Sequence, residues 1–370
     1  MTVSFPGAAP AVAVDWTAAD ATDLAPLWRE IEAQSCASFF LSWTWIGTWL
    51  ATAEARPMLV VARQGGRVIG LGLLSEAVQR RRLMRIPSLH LHETGDRRRD
   101  GIAIEYNGFL SLRGYEATAS LALLEAVLAD RRRWRELYLS GIDGCLRDLA
   151  VAGGFPVHLR NEANCPLVDL EAVRGRGSDY LAALSANTRY QIRRAMRLYE
   201  EAGPLALDRA ATVDEALAFL GELKVLHQRY WRAKGRPGAF AEPFFERFHR
   251  RLITTGHPRG EVALLRVRAG AEVLGYLYNF VHSGHVYSYQ NGFAYKEDGR
   301  YKPGLVAHAL AVGQALGEGL SSYRFLAGES RYKASLSTGS HPMYWLTLQR
   351  PSMALRLEAL ARKLRQRARG

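Results

Sequence analysis

The sequence predicts an α/β chain with mixed α+β sheets, built as two tandem copies of one unit. Three observations carry that expectation. The 370 residues exceed one typical domain, so two domains are expected. A hairpin pattern occurs twice: Leu59 to Ser75 reads strand, Q-G-G turn, strand, and Leu264 to Phe280 reads strand, A-G-A turn, strand. Arg63, Gly65, Val68 and Gly70 of the first match Arg268, Gly270, Val273 and Gly275 of the second. The surroundings repeat as well, each half reading strand, hairpin, strand, helix, strand. The expected division is 1–165 for the first domain, 166–350 for the second, and 351–370 for a basic terminal helix.

Along the first half, Ala11 to Asp15 suits a short strand and Leu24 to Gln34 a helix. Phe39 to Leu50 places Trp45 and Trp49 on one helical face, the pattern of a core helix. After the hairpin, Ile102 to Leu110 alternates like a strand, Tyr115 to Asp130 reads as a helix and Trp134 to Ser140 as a strand. Met84 to Asp100 holds His90, His92, Glu93 and Asp96. No third well-spaced histidine or cysteine follows, so a polar substrate-facing loop is expected there and no metal.

In the second half, Asp179 to Gly203 is a helix with Ser178 as its expected N-cap. Asn187 opens it. Arg189, Arg193 and Arg197 share one face, which is either a solvated basic face or a row of guanidinium forks for phosphate. Val213 to Lys234 is a second helix carrying Lys224, His227 and Trp231 at one-turn spacing, and Phe244 to Thr254 a third. Tyr287 to Phe293 alternates aromatic residues, as a strand does. A polar loop, Lys296 to Tyr301, precedes Pro303 and Gly304, which open an apolar helix. Tyr323 to Leu326 is another strand and His341 to Leu348 a last one. Met353 to Arg369 is an amphipathic basic helix, packed or in weak contact with a membrane surface.

The loop before Pro303 is a candidate anion site. Helix N-terminal amides and the dipole favour negative charge there. Lys296, Arg300 and Lys302 supply cations, and Gly304 leaves the backbone open. The alternative is a surface turn into a core helix. Only six lysines occur, and three, Lys296, Lys302 and Lys333, lie in the stretch from Tyr287 to Lys333. The +13 net charge favours anionic partners such as CoA, nucleotide-linked sugars, RNA or a lipid surface; nothing points to DNA. No apolar run approaches the roughly 20 residues that span a bilayer, and the N-terminus lacks a basic n-region. A cytoplasmic protein with reduced thiols is expected, Cys36, Cys145 and Cys165 serving as core fillers.

The ordered segments L-S-A-N-T-R-Y-Q-I-R-R-A-M-R, H-Q-R-Y-W-R-A-K-G-R-P-G-A-F, Y-Q-N-G-F, K-P-G-L and F-L-A-G-E-S-R-Y-K resemble the bacterial CelD/BcsL-type acetyltransferases. These are members of the GNAT superfamily and similar to the FemAB aminoacyl transferases. The resemblance covers nearly the whole chain, most specifically residues 178–335. It implies tandem GNAT-like domains and transfer of an acyl group, acetyl above all, from acyl-CoA to an amine of an amino sugar or envelope polysaccharide precursor. It marks Asn187, Arg189, Arg193, Trp231 and Lys234 for substrate binding. Its motif also covers Pro303 and Gly304, which with Lys296, Arg300 and Lys302 of the loop read above form the candidate donor site. The chain departs from the family at Lys302, where a small residue is common, and at Arg324, where an acid is common.

Such chemistry needs an acceptor for the amine proton, an oxyanion stabiliser and an acid for the leaving thiolate. Tyr332 or Tyr289 suits the acid, Glu329 or His227 the proton acceptor, and Lys333 the oxyanion or a phosphate. Competing readings are a FemAB-like transferase using aminoacyl-tRNA on a peptidoglycan-type precursor, and a non-catalytic binding module.

Overall fold

The computed structural model describes residues 11–19, 21–81, 84–130, 134–177, 179–328 and 330–350. The first half contains β1 (Val12–Ala18), α1 (Ala21–Ala33), α2 (Trp43–Ala53), β2 (Met58–Gln64), β3 (Arg67–Arg81), β4 (Met84–Leu91) and β5 (Leu110–Ser111). It continues through α3 (Glu116–Ala129), β6 (Glu136–Ile142), α4 (Gly144–Ala152) and β7 (Val157–Asp169). The second half contains α5 (Leu170–Gly175), α6 (Ala186–Glu200), β8 (Leu205–Arg209), α7 (Val213–Ala233), α8 (Pro243–Gly256), β9 (Val262–Ala269) and β10 (Glu272–His282). It ends with β11 (His285–Phe293), α9 (Pro303–Gly317), β12 (Ser322–Arg324), α10 (Arg331–Leu336) and β13 (Gly339–Gln349).

One mixed sheet runs through both halves in the order β1-β2-β3-β4-β6-β13-β7-β12-β11-β10-β9-β8, with β5 beside β3. The two ends repeat the same topology. Each half lays down an antiparallel run of four strands, then adds a parallel strand after a helix: β6 beside β4, and β12 beside β11. The last strands are exchanged. β7, which ends the first half, pairs with β12 of the second, and β13, which ends the second, pairs with β6 of the first. β7 and β13 pair with each other antiparallel over a long register. Neither half therefore completes its sheet without a strand from the other.

The doubled hairpin has the same pairing in both copies. In β2–β3 the register shifts between Ala62 and Arg63, leaving Ile69 as the extra residue; in β9–β10 it shifts between Val273 and Gly275, leaving Leu274. These are matching positions of the repeat. A bulge redirects a strand, and in each copy a glycine follows it. A Cβ on Gly70 would stand 2.7 Å from the Ala119 methyl of α3, and one on Gly275 would stand 2.4 Å from Gly292 O. Gly275→Ala is therefore expected to destabilise the fold by about 1–3 kcal/mol, since backbone must move. A denaturation midpoint equal to the parent's would contradict this.

Several expectations are corrected. Ile102 to Leu110 is not a strand beyond β5. Ala103 and Tyr106 take left-handed φ of 49° and 48°, and the buried Ile102 and Ile104 plug the core from an irregular segment. The fourth antiparallel strand is instead β4, the opening part of the stretch read as a polar loop. Asp179 to Gly203 is a short 3-10 turn, Tyr180–Ala183, followed by α6, with Ser185 accepting the Thr188 amide as the cap. Ser178 and the segment Met353 to Arg369 lie outside the described residues. Trp45 and Trp49 are core residues as read. Of the cysteines only Cys165 is buried; Cys36 and Cys145 are exposed.

Candidate active site

β11 and β12 pair in parallel only from His285–Ser322 to Tyr287–Arg324, after which β12 ends and the strands part. Tyr289 is the extra residue of a bulge in β11, opposite Tyr278 and Asn279. At this gap a cavity of about 630 Å³ opens between the end of α7, the exposed end of β11, the start of α9 and the segment leading into α10. His227, Trp231, Tyr289, Lys296, Lys302, Pro303, Gly304, Tyr332 and Lys333 all line it.

The start of α9 faces this space. Pro303 occupies the first turn, and Val306 makes the first helix bond, to Lys302 O at 3.1 Å. The amides of Gly304 and Leu305 precede that bond, the position of unsatisfied N–H groups at a helix start. The cations divide. Lys296 pairs with Glu272 at 2.8 Å and lies over the Tyr301 ring. Arg300 is turned back onto Asp298 at 2.7 Å and does not line the cavity. Lys302 has no ion-pair partner among the described residues. Gly304 packs closely, since a Cβ there would lie 3.1 Å from the Phe293 ring.

The candidate catalytic residues are placed differently from one another. Tyr332 lines the cavity with its ring stacked on His308 at 5.7 Å; burial holds its hydroxyl above the usual tyrosine range, with Asn291 opposing. Lys333 Nζ donates to Leu326 O at 3.3 Å and Ala327 O at 3.0 Å; burial lowers its pKa, and Glu105 opposes. Tyr289 directs its hydroxyl away, donating to Ile102 O at 2.5 Å beside His249 Nε2 at 3.1 Å. His227 is held at both nitrogens. Nε2 accepts the Ala239 amide at 3.3 Å, so Nδ1 carries the proton and donates to Asn291 O at 3.2 Å. No lone pair remains on it for an amine proton, and it serves to tie the Gly235–Phe240 turn to β11. Glu329 lies outside the described residues.

Of the substrate-binding candidates, only Trp231 lines this cavity. Asn187 and Arg193 are exposed on α6, and Lys234 is exposed just beyond α7. Arg189 donates to Ala182 O and Leu184 O at 3.2 and 2.9 Å, closing the turn before α6. None of these four lines the cavity.

A second cavity, about 910 Å³, lies on the first-half side. Tyr106, Glu116, Asp143 and Asp148 line it, together with His285, Tyr287 and Arg324 of the second half. Cys36 and Cys145 line it too, which is why they are exposed. Alternation along the strands explains the division: Tyr287 and Arg324 point into this cavity, whereas Ser288 and Phe325 point into the other. The Arg324 guanidinium lies 5.0 Å from the Tyr106 ring and 5.2 Å from the Tyr287 ring. The helix start here is closed to anions, because Glu116 accepts the Gly114 amide at 2.8 Å ahead of α3.

Sequence reasoning missed Arg324 as a cavity residue and Glu105 altogether. Glu105 Oε2 accepts the Ala327 amide at 2.8 Å across the two halves; burial drives its carboxyl up to about 7, against the Ala327 amide and Lys333. Its contact spans more than two hundred residues of sequence, and no local pattern announces it. The residues once weighed as metal ligands are engaged otherwise. His90 meets Ser88 Oγ at 2.9 Å, His92 Nδ1 meets Asn107 Oδ1 at 2.8 Å, and burial lowers the two to about 3 and 4. A different group, Glu32, Glu261 and His282, has ligand atoms within 4.8 Å of one another, outside both cavities.

Residues 186–334 match the model of the acetyltransferase (GNAT) domain. No curated protein sequence matches the chain. Among solved structures it resembles FemX, at 9% identity and a TM-score of 0.59, over 91% of this chain and 97% of that one. It also resembles the C-terminal domain of a putative lysylphosphatidylglycerol synthetase from Agrobacterium fabrum, at 12% identity and 0.55, over 92% and 95%. L-PGS from Bacillus licheniformis is similar at 10% identity and 0.52, over 91% and 96%. At these identities the likeness is one of fold. No helix among the described residues is long and apolar enough to cross a membrane.

Proposed function

We propose that this chain, a GNAT-type acyltransferase, holds an acyl-CoA in the cavity where β11 and β12 part and transfers the acyl group to an amine entering from the first-half cavity. The observation that carries the reading is the coincidence, at one gap, of parted strands, an uncapped helix start, an unpaired Lys302 and the Tyr332 hydroxyl. The parted strands offer backbone groups to the pantetheine arm. The amides of Gly304 and Leu305, with Lys302, hold phosphate. The charged amine loses one proton to water in the acceptor-side cavity and attacks the thioester carbon; as the C–S bond breaks, Tyr332 protonates the thiolate, and the proton shed by the new amide nitrogen returns to the tyrosinate.

The first-half cavity suits an acceptor carrying both an amine and an anionic group. Glu116, Asp143 and Asp148 attract the amine in its resting charged form, and Arg324 between two tyrosine rings is a fork for phosphate or carboxylate. An amino sugar or a nucleotide- or lipid-linked envelope precursor has both groups, in keeping with the CelD/BcsL resemblance and with acetyl as the group moved. Arg324 is thus the departure from the family pattern that gives this chain its acceptor preference.

Calorimetry of CoA tests the donor. Lys302→Ala is expected to weaken CoA binding by about ten- to a hundred-fold, the loss of one sheltered charge-assisted bond. Pantetheine, which lacks the phosphates, should bind parent and variant alike. Lys302 is the informative position, since any side chain at Gly304 also presses on Phe293. Equal losses for both ligands would remove the phosphate site.

A second reading takes aminoacyl-tRNA as donor. Tyr230 and Tyr295 line the cavity while 38% and 58% exposed, and could stack bases. A parent protein that binds tRNA in a steeply salt-dependent way, and CoA not at all, would put this reading first.

A further inference from the structure

Glu105 belongs to the first half, yet its contacts are with the second. Its carboxylate accepts the Ala327 amide at 2.8 Å, and the residue is only 9% exposed. Lys333 grips the same stretch by the carbonyls of Leu326 and Ala327. The stretch needs holding, because Leu326 sits at a φ of 62° and Gly328 at 130°, and a left-handed leucine is unfavourable. Ala327, Gly328 and Lys333 line the 630 Å³ cavity. Tyr106, the neighbour of Glu105, lines the 910 Å³ cavity. Glu105 itself lines neither, so it touches no substrate.

We propose that Glu105 is a positioning residue for acyl transfer: it fixes Leu326 to Gly328 and Lys333 in the geometry the thioester meets, and ties that geometry to the acceptor-side cavity. This rests on reading the 630 Å³ cavity as the acyl-CoA site. The ionised carboxylate is the stronger acceptor for the Ala327 amide and the only form that balances Lys333. Protonation loosens both. Burial, opposed by Lys333 and the Ala327 amide, brings that change to about 7.

The test follows thiol release from acetyl-CoA, with glucosamine 6-phosphate as probe acceptor, between about pH 5.5 and 9, for the parent, Glu105→Gln and Glu105→Ala. CoA affinity is measured by calorimetry alongside, and hydrogen exchange is read on the peptide containing Ala327. In the parent, kcat should rise through about pH 7. Glu105→Gln keeps an acceptor oxygen and should lose that rise while CoA affinity stays within about threefold. Glu105→Ala should lower kcat about ten- to a hundred-fold with CoA affinity still within about threefold, and speed exchange at Ala327. A parent-like pH profile in Glu105→Gln, or unchanged kcat and exchange in Glu105→Ala, overturns the proposal. A parent that binds no CoA overturns the donor reading and the proposal with it, and the calorimetry tells the two failures apart.

Discussion

Tyr332→Phe is expected to lower kcat by about 10²- to 10⁴-fold while leaving CoA affinity unchanged. Expulsion of a thiolate into a cavity partly shut off from water is costly without a proton donor. Tyr332 lines the cavity, and burial keeps its hydroxyl above the usual tyrosine range against the opposing Asn291 and Ser330, so it stays protonated at working pH. The phenylalanine ring preserves the stack on His308 at 5.7 Å, so the fold and the cavity wall persist. The effect should fall on kcat, because the hydroxyl contributes when sulfur departs rather than when CoA binds. Stopped-flow thiol release with matched CoA calorimetry checks it. A loss smaller than about threefold would mean that solvent protonates the sulfur.

The second large effect concerns acid. Stability is expected to vary little between about pH 7 and 5 and to fall steeply below about 4.5. Two sets of groups oppose each other. His90, His92, His249 and His308 are buried, and burial lowers their pKa, to about 3 for His90 and His308 and about 4 for His92. Below the unfolded value near 6.5 the unfolded chain takes protons that the folded chain refuses, so His90, His92 and His308 each cost about 2 kcal/mol by pH 5, and His249 acts in the same direction. Glu32, Glu93 and Glu105 run the other way, since burial raises each to about 7. Between 7 and the unfolded value near 4.5 the folded chain takes their protons first, which offsets the histidines by a comparable amount. Below about 4.5 the unfolded carboxyls are protonated as well and the offset stops growing. The histidine cost continues at about 1.4 kcal/mol per pH unit for His90 and His308 down to about pH 3, and stops growing near pH 4 for His92. Thermal midpoints across this range check the shape. A steady decline from pH 7 to 5 would show that the histidines, among them also His227, His282, His285 and His341, whose pKa burial lowers too, outweigh the three glutamates.

Much of the architecture was legible because it is written locally. The repeated hairpins carry their bulge and glycine in matching places, since both glycines lie where a neighbouring atom leaves no room for a Cβ. The helix start at Pro303 was legible for the same reason: proline and an uncapped polar loop are local. The first-half strand was misplaced because Ile102 and Ile104 alternate as a strand would, while the left-handed Ala103 and Tyr106 leave no mark in a hydropathy pattern. The motif residues on α6 were grouped with the site because they are neighbours in family order. Helical phase sends Asn187 and Arg193 to solvent and Arg189 to the turn behind it.

By itself, the sequence determined the two α/β units, the apolar helices, the kind of chemistry and the stretch, Tyr287 to Lys333, around which the 630 Å³ cavity forms. Tertiary structure alone decided which of those residues can act. It turned the Tyr289 hydroxyl to Ile102, locked both nitrogens of His227, spent Lys296 and Arg300 on Glu272 and Asp298, and left Lys302 and Tyr332 facing the gap. It also exchanged β7 and β13 between the halves and set Glu105 against Ala327. The physical reason is range. Backbone preference and hydropathy act over a few residues and can be read in order, whereas hydrogen-bond partners and burial, which set charge and reactivity, are chosen by chain segments that meet only in the folded sheet.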